Sequence, residues 1–148
     1  MAAQSTAVLK MLHEMAVKEV ELATEALAKA LKAVDEAKNK EAMLEGYKQD
    51  YLDNLKKSLD AGVTVDAYQN YHQFMGKLEQ AITGQREAVK FAEGKLQVQR
   101  QLLQECQRKK LSYDVLLERA DKRASKAESK RDQKMMDEFA SRISRTKS

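Results

Sequence analysis

Alternating steps of three and four between apolar or small residues constrain this chain more than any other feature. From Val20 they fall at Ala23, Leu27, Ala30, Val34 and Ala37, then at Leu44, Tyr51 and Leu55. With Val20 at heptad position a, this is a seam that keeps one stripe of a helix facing a partner helix. Upstream, Leu9, Leu12, Ala16 and Val20 are spaced three, four and four, a local stutter. A second seam runs through Tyr68, Tyr71, Met75, Leu78, Ile82, Val89, Ala92, Leu96, Leu103 and Cys106 to Tyr113, Leu117, Ala120 and Ala124. The chain has no proline, so nothing forces a helix to stop.

Composition agrees with the seams. Charged residues are 34% and aromatic residues 5% of the chain, and Trp is absent, which suits long helices better than a layered core. So much charge could also mean disorder, but regular apolar spacing over most of the length argues against it. The single cysteine excludes an internal disulfide and fits a reducing cytosol. No apolar run nears the roughly 18 residues of a membrane span, and MAAQSTAVLKMLHEM lacks a signal-peptide pattern. The expectation is a soluble intracellular protein with no membrane span.

Between the seams lies DAGVTVD, Asp60 to Asp66. Gly62 suits the left-handed conformation that ends a helix, and Thr64 or Asp66 suits the N-cap of the next. Gly76, Gly84 and Gly94 leave the second seam uninterrupted and read as weak spots within a helix. Two helices joined this closely fold back antiparallel, so position i lies opposite roughly 126 − i. The predicted fold is all-α: a long antiparallel two-helix coiled coil, an α-hairpin, with an overhanging C-terminal helix. It forms one coiled-coil domain, with helix 1 at about 4–59, a turn at 60–66 and helix 2 at about 67–142. This register sets Glu41 near Gln85 as a polar layer, and Cys106 near Val20 as a buried, inert thiol.

The same register leaves the end of the chain unpaired. Met1 falls near residue 125, so an overhang of about 20 residues extends roughly 30 Å at 1.5 Å per residue. Within it, DQKMMDEFASR begins a stripe in which Met135, Phe139 and Ile143 recur every fourth residue, on one face of a helix. The positive charge gathers there too. Residues 118–148 hold ten Lys and Arg against six Asp and Glu, whereas the 17 of each sign before them cancel. Such a segment is either a solvated helix face or a basic surface for an acidic partner.

Chemistry-bearing patterns are scarce. His13 faces about residue 113, far from His72, and neither has metal-ligand spacing. There is no Gly-rich phosphate loop, and carboxylates four residues from lysines are helix-surface pairs. Neither an enzyme nor a cofactor is expected. A nucleic-acid arm fits poorly, because the basic excess is modest, interrupted by acids and without aromatics for base stacking.

One cluster stands out near the turn. YKQDYLDNL carries Tyr47 and Tyr51, and YQNYHQFMGKLEQAI carries Phe74, Leu78 and Ala81 at the same height. Tyr51 and Leu78 are d residues; Tyr47, Phe74 and Ala81 are g residues, which flank one side of an antiparallel seam. Tyr47 and Phe74 should therefore share an exposed edge. Either these rings broaden the core, or they form a half-exposed aromatic hot spot.

Four segments carry a family resemblance: LKMLHEMAVKEVELA, YKQDYLDNL, YQNYHQFMGKLEQAI and DQKMMDEFASR. In order and over nearly the whole chain, they resemble the FliJ family of flagellar type III export components. The resemblance implies an antiparallel coiled coil similar to the gamma stalk of rotary ATP synthases. It implies insertion of the paired termini into the hexameric export ATPase FliI, promoting ring assembly and hydrolysis, together with binding to the export gate FlhA and to export chaperones. It gives the gate Tyr47, Tyr51, Phe74, Leu78 and Ala81, and the ATPase Lys130, Arg131, Lys134, Met135, Phe139, Arg142 and Ile143. It also implies a cytoplasmic site at the inner membrane of the flagellar base. A structural tether or spacer, without any effect on an ATPase, is the other reading of the same coiled coil.

Overall fold

The computed structural model describes the backbone of residues 2–147 and the side chains of residues 5–147. It contains two helices, α1 (Ala2–Ala61) and α2 (Val65–Lys147), and no strand among the described residues. The protein is all-α, its two helices packed antiparallel as a coiled-coil hairpin.

The break between them is only Gly62, Val63 and Thr64. Gly62 takes a φ of 94°, which an L side chain rarely adopts, and its N–H donates to the Leu59 carbonyl at 3.3 Å. The Thr64 hydroxyl then accepts from the Ala67 N–H at 3.2 Å, satisfying a free donor of the new helix. Because Thr64 rather than Asp66 is the cap, α2 starts at Val65. Asp66 lies in the first turn, where its charge suits the helix dipole. With no proline to interrupt it, α2 continues to Lys147.

The chain divides into two compact units. The first, Leu22–Leu103, holds the turn. Its core is Val34 from α1 and Leu78, Ile82, Val89 and Leu96 from α2, each at most 8% exposed. Half-buried Ala23, Ala30 and Ala37 occupy d positions whose register opposites are Leu103, Leu96 and Val89. Small residues thus face larger ones, which lets the helix axes approach while the space between stays filled.

Polar residues interrupt this seam without leaving a buried polar side-chain atom unpaired among the described residues. The expected Glu41–Gln85 layer is partnered differently. Gln85 donates its amide to the Ala37 carbonyl at 2.9 Å, while Glu41 accepts from Arg86 Nε at 3.4 Å. A carboxylate gains more from a guanidinium than from a neutral amide, and a helix carbonyl has a second lone pair to accept Gln85. In this unit the interhelical ion pairs gather on one side of the seam: Arg86–Glu45 at 2.7 Å, Lys38–Glu93 at 3.6 Å and Lys48–Glu79 at 3.7 Å. Hydrogen bonding and charge from Glu45, then from Glu41, hold the Arg86 guanidinium above its ordinary range. Exposed pairs of this kind set register more than they stabilise.

The second unit joins Met1–Glu21 to Gln104–Ser148. Ala16 is 1% exposed, and Leu9, Val20, Cys106, Tyr113, Leu117 and Ala120 are half-buried around the seam. The expected stutter is absent. His13, hydrogen-bonded to Asp114, takes the half-buried place instead of Leu12, which is 38% exposed. Leu9, His13, Ala16 and Val20 are then spaced four, three and four, in phase with the rest of α1. Two outer seam positions are also corrected. Tyr68 is exposed because it lies in the first turn after the loop, and Ala124 because α1 begins opposite it. Cys106 is a free, half-buried thiol.

Candidate partner-binding surfaces

Near the turn, a d residue of α1 organises the aromatic cluster. Tyr51 packs on Phe74 with ring centroids 4.4 Å apart and planes at 33°, and on Tyr71 at 4.9 Å and 55°. Tilted rings at these distances are favourable beyond the area they bury. Tyr47 and Phe74, at g positions, are 55% and 48% exposed. Ala81 is exposed, whereas Leu78 is 8% exposed and supports the cluster from within the seam. The structure thus brings Tyr51 and Phe74 into contact, and leaves Tyr47 on the same edge without a ring contact among the described residues. Tyr71 is the member that the sequence reading assigned to the seam alone. Its spacing, three residues before Phe74 on the same helix face, was the available signal.

The two edges of this unit differ in character. Charges and ion pairs hold the e edge, through Glu79, Arg86 and Glu93 of α2. Tyr47, Phe74 and Ala81 lie on the g edge, and Leu22, Phe91, Val98 and Leu102 hold g or neighbouring c positions along it while remaining exposed. The pair is thus apolar along one edge and charged along the other.

At the other end, every described residue from Asp121 to Lys147 is exposed. Continued beyond Ala124, the seam register reaches Ala127, Arg131, Lys134 and Glu138. Met135, Phe139 and Ile143 lie off that register, at 68%, 66% and 40% exposure, so this stripe does not extend the hairpin core. Met136, 73% exposed, adjoins it and was not singled out from the sequence. Lys130, Arg131, Lys134 and Arg142 are exposed around the stripe, none in an ion pair among the described residues. This surface combines exposed apolar side chains with positive charge.

Nothing in either surface suggests bond-making chemistry. Among the described residues no group of three or more His, Cys, Asp or Glu could hold a metal ion, and no helix is long and apolar enough to cross a membrane.

The sequence profile of the Flagellar FliJ protein family matches residues 5–148. The Flagellar FliJ protein of Escherichia coli (strain K12) is 34% identical over 139 residues, covering 94% of this chain and 95% of the relative. That of Salmonella typhi is 30% identical over the same length, with the same coverage. A solved chain from Chlamydia trachomatis, described as a YscO homologue, has 19% identity and a TM-score of 0.49, over 95% of this chain and 91% of that one. Matched over nearly its full length in this way, the chain belongs to the Flagellar FliJ protein family, a non-enzymatic component of the flagellar export apparatus.

Proposed function

We propose that this protein is the stalk of the flagellar type III export apparatus, working in the cytoplasm at the inner membrane. Its overhanging C-terminal helix enters the hexameric export ATPase FliI and promotes ring assembly and hydrolysis. Lys130, Arg131, Lys134, Met135, Phe139, Arg142 and Ile143 make that contact. The edge near the turn, with Tyr47, Tyr51, Phe74, Leu78 and Ala81, meets the export gate FlhA, and the protein helps to handle export chaperones.

The observation that carries this reading is the exposed stripe of Met135, Phe139 and Ile143 outside the hairpin register. A helix gains little from an apolar face in water but a good deal from laying that face into a groove of another protein. The test is stimulation of the purified export ATPase by the full chain and by a chain lacking residues 126–148. Loss of stimulation on truncation supports the reading. Undiminished stimulation would make the tail a solvated end, and no stimulation by either chain would favour a plain tether.

A further inference from the structure

We infer that the outer face of α2 between Arg108 and Arg119 docks an amphipathic helix of another protein, one whose apolar stripe is flanked by carboxylates. A shallow groove of about 510 Å³ lies there, lined by Arg108, Leu111, Ser112, Val115, Leu116 and Arg119. The seam of this unit passes through Lys110, Tyr113 and Leu117, so the hairpin core leaves the groove uncovered. Leu111, Val115 and Leu116 are 61%, 38% and 44% exposed, three aliphatic side chains in succession on one helix face.

Charge selects the occupant. Arg108 and Arg119 bracket the apolar centre about three helical turns apart, roughly 16 Å. Both are exposed, and neither forms an ion pair among the described residues, whereas nearby Lys109 and Lys122 are paired with Glu19 and Glu118. Asp114 is likewise engaged, by His13. Glu105, a turn before the groove, and Asp121, just beyond Arg119, are the acids of α2 nearest to it outside these pairs. The Ser112 hydroxyl donates to the Arg108 carbonyl at 3.0 Å, turned back onto its own helix, so the space between the guanidiniums is apolar. Guanidiniums take carboxylates in bidentate geometry, and carboxylates three turns apart on a second helix match their spacing. The C-terminal helix of a second copy of this chain is a poor match, because its acids Glu128, Asp132, Asp137 and Glu138 are interleaved with Lys130, Arg131, Lys134 and Arg142, which would face Arg108 and Arg119 as well. An anionic lipid surface offers no such spacing, and the groove has no aromatic side chain to enter a headgroup layer.

The inference stands independently of the ATPase reading. The probe is a designed fluorescent peptide helix of about five turns, with a leucine stripe between two glutamates three turns apart. The control carries lysines in their place. Anisotropy titration with the full-length protein should show the glutamate peptide binding at least about tenfold more tightly. Arg108→Glu with Arg119→Glu should reverse that preference, and Val115→Asp should abolish binding, all with unchanged far-UV circular dichroism. Equal affinity for the two peptides, no binding of either, or a preference that survives the double charge reversal would each overturn the proposal. So would binding to anionic vesicles, but not to the glutamate peptide, through the same two arginines.

Discussion

Neighbouring residues on α1 have opposite surroundings: Leu12 is exposed, and His13 is half-buried against Asp114. A helix turns by about 100° per residue, so phase outranks hydrophobicity in deciding which of the two faces the partner. The same reasoning separates Leu78, a buried d residue, from Phe74, a half-exposed g residue whose ring rests on Tyr51. Changing Tyr47 and Phe74 together to Ala should therefore weaken binding to the gate cytoplasmic domain while helicity stays nearly constant. Loss of helicity in that variant would assign the rings to the core. At the other end, Phe139→Ala should speed dissociation from the ATPase, with a loss of ~2 kcal/mol if the ring fills a pocket. Surface-plasmon kinetics would show it, and an unchanged off-rate would remove Phe139 from the contact.

Elements are delimited here by two residues. Gly62 supplies the positive φ that ends α1, and Thr64 caps α2. Gly62→Ala should cost about 1 kcal/mol, the penalty of a side chain in left-handed backbone, with open space around the new methyl adding no clash. A urea melt would measure it; an unaltered midpoint would mean that the loop relaxes out of this conformation. Pairing between the helices rests on small-against-large seam layers, of which Ala30 and Leu96 are one. Cysteines at those two positions should form a disulfide within a single chain. Ready cross-linking between chains, with none within, would point to a parallel dimer of a continuous helix instead.

For the molecule as a whole, charge is segregated along the chain. The 17 Lys and Arg before residue 118 are balanced by 17 Asp and Glu, and the excess lies entirely beyond it. Association with the ATPase should consequently slow as salt rises, because screening shortens the reach of the tail's cations. Stopped-flow rates at several ionic strengths would test this, and a salt-independent rate would leave only apolar contact. Deletion of residues 126–148 should leave the thermal melt of the remaining hairpin unchanged, since every described residue of that segment is exposed. A lowered melting temperature would reveal an intramolecular role for the tail.

Heptad spacing, the lone helix-ending glycine and the absence of proline are local properties, and they suffice for a two-helix antiparallel coiled coil and its approximate register. Lys48, expected opposite about residue 78, pairs with Glu79, and His13, expected opposite about 113, pairs with Asp114. The off-seam stripe of Met135, Phe139 and Ile143 was legible for the same reason. Tertiary structure alone decided which polar groups meet across the seam. Gln85 and Glu41 are opposite by register yet bond to the Ala37 carbonyl and to Arg86, because long side chains reach a turn away for a better partner. It also decided that Tyr71 joins the aromatic cluster, and that the groove between Arg108 and Arg119 carries two guanidiniums without an ion pair among the described residues. Spacing along one helix specifies the face on which a residue lies. What that residue touches depends on the side chains that the second helix brings alongside it.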